Sequence, residues 1–283
     1  MAIIRYRVDE EAKRIEYFNE HWYKIEGIDK PVPSVTKVID DILAKGYDFN
    51  VWLMANGFNS EEVKQRAGDS GTRLHKAFEL AIKGHEVSAV NALLGDAAFT
   101  RIEWQKFIDW QRWYESLNPV PLATEKIVYS PTWGVAGTAD LVAFINGELW
   151  LLDWKSGNNI YDSADIQVAA YRKAYNEEAE LLGEPLITRA GVVHVGAKNK
   201  LVSGMNAPGI SVREVGEVEE RIFDRLVEIW NWRNPDPKIP TYNFPITVKL
   251  SCGTLPMPEA EPLPPPGDND APPEQEQELA SQN

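Results

Sequence analysis

The chain has 283 residues, 43% of them hydrophobic, enough for one sizeable core without a second domain. Its opening residues, MAIIRYRVDEEAKR, lack the apolar stretch of a secretory signal, and no run approaches the ~18 apolar residues needed to span a bilayer. The single Cys252 excludes an internal disulfide and any cluster or zinc site needing several thiolates, so a cytoplasmic protein without a membrane partner or iron–sulfur cluster is expected.

A net charge of −14 argues against a nucleic-acid partner, because phosphate contacts want a basic surface. The charge is uneven, however. Seven acidic residues and no Lys or Arg lie beyond Cys252, leaving 36 acidic against 29 basic residues in the body. That objection weakens without disappearing.

In chain order, Ile3 to Val8 and Arg14 to Phe18 read as a small hairpin. Ser34 to Ala44 and Ser60 to Lys83 read as helices, the second with Ser60 as N-cap and Glu61 and Glu62 in its first turn. Thr100 to Leu117 is a third helix, rich in aromatics; Trp104, Trp110, Trp113 and Tyr114 are either a partner surface or core. Three strands follow, Ala123 to Tyr129, Gly137 to Ile145 and Glu148 to Trp154. A helix from Asp162 to Leu182, a strand from Arg189 to Val195 and a helix from Gly216 to Trp232 complete the pattern. Strands between helices predict an α/β fold, one central mixed sheet flanked by helices, over residues 1–252. Residues 253–283, with PLPPPGDNDAPPEQEQE, have almost nothing to bury and are expected to form a disordered acidic tail.

The informative stretch is GTADLVAFINGELWLLDWKSG, Gly137 to Gly157. Asn146-Gly147 between two apolar β-rich runs signals a two-residue type I′ turn, which sets the register. Ile145 then faces Glu148, and each step outward keeps the paired numbers summing to 293, so Asp140 faces Asp153. Two like charges among Leu141, Val142, Leu151 and Leu152 need a compensating cation. Lys155, two residues beyond Asp153 on the same strand face, is one candidate; a hard divalent ion bound by both carboxylates is the other. The plainer alternative is two aspartates ending their strands in solvent, with Lys155 in an ordinary ion pair.

Within GDSGTRLHKAFELAIKG, Gly71, His75 and Glu79 recur at i, i+4 and i+8 on one helical stripe, beside an apolar stripe of Leu74, Phe78 and Ile82. Gly71 would let the helix start approach the sheet. His75 could give an imidazole to the metal, with Glu79 bonding its other nitrogen or a metal-bound water. Gln167 and Tyr171, at i and i+4, could bond a phosphate or stack on a base, or form a partly buried polar pair.

Together these residues resemble the RecB-type branch of the PD-(D/E)XK nuclease superfamily, which includes phage recombination exonucleases. PSVTKVID (Pro33 to Asp40) is similar to its early helix, GTRLHKAFE (Gly71 to Glu79) to its G-T-x-x-H-x-x-x-E element, and GTAD (Gly137 to Asp140) to G-x-x-D. LDWKSG (Leu152 to Gly157) supplies D-x-K and QVAAY (Gln167 to Tyr171) supplies Q-x-x-x-Y, while Glu125 lies on the strand before the core hairpin. Ala139 stands where the superfamily's name has proline.

The resemblance implies a restriction-endonuclease-like core and a Mg²⁺- or Mn²⁺-dependent deoxyribonuclease, with an exonuclease in phage-type recombination, repair or replication as the form expected. It implies one or two ions held by His75, Asp140, Asp153 and the Trp154 carbonyl, with Lys155 and Glu79 completing the catalytic set. Gln167, Tyr171, Thr72, Arg73 and Ser156 would contact substrate. DNA is the implied partner, with a single-strand annealing or binding protein and a homo-oligomer as further expectations. The alternatives are a silent nucleic-acid-binding module on the same fold and a metal-dependent small phosphoesterase.

Overall fold

The structure is a computed structural model that describes residues 13–17, 20–44, 46–90 and 98–239. The expected strand Ile3 to Val8 and the expected tail from residue 253 lie outside the described residues. Contacts divide the chain into Met1–Pro240 and Thr241–Asn283, and every described residue belongs to the first unit.

A small sheet opens the described chain, with β1 (Lys13–Tyr17) antiparallel to β2 (Glu20–Lys24) and β2 to β3 (Val32–Pro33). β1 pairs with the residues just after it, and in β2 the adjacent Trp22 and Tyr23, which face opposite sides of the strand, are both buried. Helix α1 (Val35–Ile42) starts at Ser34, whose hydroxyl accepts the Lys37 amide at 2.9 Å. Helix α2 (Tyr47–Asn56) is not foreshadowed in the sequence, since its apolar residues form no single stripe. It runs through a 3₁₀ turn, Gly57–Asn59, into α3 (Ser60–Ile82). Ser60 is thus the first helical residue rather than a cap: the chain arrives already helical at Asn59, and no side chain closes that end. Helix α4 (Arg101–Leu117) starts in a reciprocal capping box between Thr100 and Glu103.

The main sheet has the order β4 (Val120–Ser130), β5 (Val135–Ile145), β6 (Glu148–Lys155), β7 (Arg189–Val195), β8 (Ile210–Val215). Only the β6–β7 pairing is parallel, so the sheet is mixed, as expected. Helix α5 (Asp162–Leu182) supplies the crossover between these two strands. Its buried alanines pack with α1 and α6 (Glu217–Arg233) on one sheet face, against Val142, Leu149 and Leu151. Helices α3 and α4 cover the other face, where Leu74, Phe78, Trp110 and Trp113 meet Leu141, Leu152 and Trp154. Trp110 and Trp113 are therefore core, while Trp104 and Tyr114 flank that core half-buried. Among the described residues no helix is long and apolar enough to cross a membrane.

Candidate active site

The turn at Asn146 and Gly147 takes the two left-handed conformations a type I′ turn requires, φ +53° and +85°. It imposes the expected register from Ile145↔Glu148 to Leu141↔Leu152. There the ladder stops, one step short of Asp140 and Asp153. Alternation of bonded and non-bonded pairs would next send the Trp154 amide to a β5 carbonyl. Asp140 Oδ2 accepts it instead, at 2.7 Å. The carboxylate replaces a rung of the sheet, so the strands part just where the two acids lie. Both acids are buried.

Asp153 and Lys155 continue the row Leu149, Leu151 on the α5 side of β6. Lys155 Nζ is in direct contact with Asp153 Oδ2, and Gln167 Nε2 donates to Asp153 Oδ1 at 3.3 Å. Gln167 also donates to the Tyr171 hydroxyl at 3.0 Å. The lysine contact aside, Asp153 Oδ2 is a buried oxygen with no directed hydrogen bond. Burial pushes the Asp153 carboxyl up to about 6, with Asp140's charge adding to it and Lys155 opposing. For Lys155, burial alone would favour the neutral amine; the charges of Asp153 and Asp140 outweigh it and hold the group above the ordinary lysine value.

The other half of the site comes from α3 and β4. His75 Nδ1 lies 3.3 Å from Asp140 Oδ1. Burial alone would lower the imidazole's pKa, but the charge and hydrogen bond of Asp140 raise it overall. On β4, Thr124 pairs with Leu141 and Lys126 with Ala139, which leaves Glu125 across from Asp140. Glu125 adopts φ +51°, a left-handed conformation costly for a residue with a side chain and one that persists only where the surroundings enforce it. Although Glu125 itself is solvent-exposed, partial withdrawal of its carboxyl from water in the cleft, followed by the charge of Asp140, raises that carboxyl to about 7. His75, Glu125 and Asp140 bring one donor atom each to within 4.8 Å of one another.

These groups line one cleft of about 470 Å³, together with Gly71, Thr72, Glu79, Gln167 and Tyr171. One imidazole and two carboxylates, with a further buried carboxylate oxygen lacking a directed partner, suit a small hard divalent cation. The donor set fits such an ion.

The remaining residues singled out from sequence are spread more widely. Glu79 lines the cleft, but its oxygens are held by Lys76 at 2.8 Å and Lys83 at 2.5 Å on its own helix. Arg73 turns the other way and bonds Glu103 at 2.6 Å between α3 and α4. The Ser156 carbonyl accepts from Lys106 Nζ at 2.5 Å, and Ser156 is not among the residues lining the cleft. The Trp154 side chain lies in the core, edge-on to Phe78, Trp110 and Trp113. Gly71 sits midway along α3 rather than at its start, and a Cβ there would meet Ser156 Oγ at an ordinary 3.7 Å, so no close approach depends on it.

Glu125 is absent from the ligand set read from the sequence. A signal was available: the four-residue turn Pro-Thr-Trp-Gly, with Gly134 at φ +65°, joins Ser130 to Val135 and sets a register that carries Glu125 to Asp140. A register shift between Pro121 and Ala123 lies further out and does not disturb it.

No protein-family profile matches this sequence, and neither does any curated protein. Among solved structures, it is similar to an exonuclease candidate from Eubacterium rectale, with TM-score 0.38 and 13% identity over 60% of this chain and 69% of that one. It is also similar to LHK-Exo in complex with dAMP, with TM-score 0.30 and 14% identity over 71% of this chain and 87% of that one. Likeness at this level carries no weight for the chemistry, which rests on the residues in the cleft.

Proposed function

We propose that the protein is a divalent-metal-dependent deoxyribonuclease of the PD-(D/E)XK type, RecB-like branch, acting as an exonuclease in phage-type DNA recombination, repair or replication. The observation that supports this reading most is the convergence of His75, Glu125 and Asp140 within 4.8 Å, beside an Asp153–Lys155 pair in the same cleft. A structural ion pair alone would need neither the third acid nor its left-handed backbone.

In this reading His75, Glu125, Asp140 and Asp153 hold one or two Mg²⁺ or Mn²⁺ ions, with the Trp154 carbonyl as a further ligand. Bound there, the metal supplies positive charge at the scissile phosphate and lowers the pKa of water. Lys155 carries a positive charge favoured by the neighbouring carboxylates of Asp153 and Asp140. It stabilises charge building on the phosphate and orients the attacking water through its hydrogens. Gln167, anchored to Asp153 and Tyr171, presents its amide to substrate and keeps the Asp153 carboxylate turned toward the cleft. Thr72 contacts substrate from the cleft wall.

The test is incubation of the purified chain with end-labelled linear DNA and with circular DNA, with Mg²⁺, Mn²⁺ or chelator. Metal-dependent loss of label from linear DNA, with circles intact, is the expected result. Circles cut as fast as linear DNA would make it an endonuclease, and no cleavage with either ion would remove the reading.

A further inference from the structure

The β7–β8 connection, residues 196–209, is built more firmly than a simple link needs to be. Asn199 Nδ2 donates to the carbonyls of Leu201, Ala207 and Ile210 at 3.1, 3.2 and 3.1 Å, while its Oδ1 accepts the Leu201 amide at 3.1 Å. Asn206 Oδ1 takes the Val212 amide at 2.9 Å, and the Trp113 indole donates to the Met205 carbonyl at 2.6 Å. Met205 and Ala207 pack on the core. Asn199 and the stretch from Met205 to Ala207 are thus held down, while Leu201 and Val202 stand 72% and 75% exposed between them. Lys198 and Lys200 beside them are exposed too. A braced loop that leaves two aliphatic side chains in water forgoes burial worth about 25 cal/mol per Å².

The root of this loop lies at the active-site end of the sheet. Lys155 pairs with His194 in the parallel β6–β7 ladder, and the loop begins two residues later at Gly196. His194 Nε2 bonds the Gly157 carbonyl at 2.8 Å. Lys106 reaches the Ser156 carbonyl while its aliphatic stem fills the space a side chain at Gly196 would need, 2.5 Å from that Cβ position. The loop base and the backbone just after Lys155 are therefore tied together.

We infer that residues 198–202 form a DNA contact of their own, with Lys198 and Lys200 on backbone phosphates and Leu201–Val202 pressed between bases. This rests on the nuclease reading. Cationic side chains beside an exposed aliphatic pair suit that partner: phosphates attract the lysines, and an apolar wedge gains contact area by unstacking a base step. In a chain of net charge −14, a cationic protrusion also gives DNA a local landing point.

The test uses the full chain carrying Asp153→Asn, which keeps a neutral isostere in the site, and duplexes with 2-aminopurine at the terminal, second or third pair. Binding should raise the fluorescence at one of these positions at least about twofold as the base unstacks. Adding Leu201→Ser/Val202→Ser should abolish that rise with Kd within about threefold. Adding Lys198→Ala/Lys200→Ala should weaken Kd on the order of tenfold and flatten the log Kd against log salt slope by about 2, one unit per lost phosphate contact. An unchanged rise in the first variant, or unchanged affinity and slope in the second, overturns the inference. If the unmodified chain still degrades DNA, the nuclease reading survives that result; if it neither binds nor cuts DNA, both fall.

Discussion

The ring of Tyr171 occupies the space where a side chain at position 137 would begin: a Cβ on Gly137 would stand 2.0 Å from Tyr171 Cε1. The glycine of GTAD is therefore a seat for the tyrosine of QVAAY, and through Gln167 that tyrosine reaches Asp153.

Gly137→Ala should accordingly expel Tyr171 and destabilise the protein by about 1–3 kcal/mol, the usual range for overpacking. DNA cleavage should fall with it, because Gln167 loses its second anchor. In a double-mutant cycle by urea denaturation, Gly137→Ala should cost much less when Tyr171 is already alanine. Strictly additive costs would show that the clash is relieved elsewhere.

Metal affinity should separate Glu125 from Glu79. Mn²⁺ titration calorimetry should find binding weakened at least about tenfold by His75→Ala and by Glu125→Gln. Glu79, already occupied by Lys76 and Lys83, should tolerate Gln with a change under about threefold. The reverse ranking would return Glu79 to the place the sequence suggested for it.

Removing Lys155 should be costly for folding as well as for cleavage. Asp153 has its carboxyl raised to about 6 against 3.8, so ionising it opposes folding, and this penalty sets in as pH rises through that interval. Lys155→Met deletes the compensating cation and should lower metal-free stability at pH 8 by about 3–5 kcal/mol, and by much less at pH 5, where Asp153 keeps its proton. Adding Asp153→Asn should restore most of the stability and none of the cleavage. A loss equal at both pH values would mean that the buried charge is not its source.

Glu103 should show the opposite sign. Burial alone would raise its carboxyl, but bonds from Ser70, Thr100 and Arg73 outweigh that and lower it to about 2 from 4.5. Its contribution is therefore complete above about pH 4.5 and lost as pH falls toward 2. Allowing for the half-exposed Arg73, Glu103→Gln should cost roughly 2 kcal/mol at pH 7 and almost nothing near pH 2. Thermal melts of the two proteins across that range would converge at the acid end if this is right.

What the sequence determined by itself is what short-range geometry controls. Asn146-Gly147 admits one tight turn, and a tight turn dictates its own register, so the pairing from Ile145↔Glu148 to Leu141↔Leu152, one step short of Asp140 and Asp153, could be read from residue numbers. The mixed sheet between helices, and the helical stripe of Leu74 and Phe78 beside His75, were legible for the same reason: periods of two and 3.6 are local. The tertiary structure decided everything that depends on how separate elements meet. It stopped the ladder at Leu141, gave the Trp154 amide to Asp140, and turned Glu125 through a left-handed residue toward His75. It took Arg73 away to Glu103 and left Glu79 with its own lysines. Each of those outcomes is a competition among partners far apart in the chain, settled by packing and by the cost of burying charge, and no local pattern records the winner.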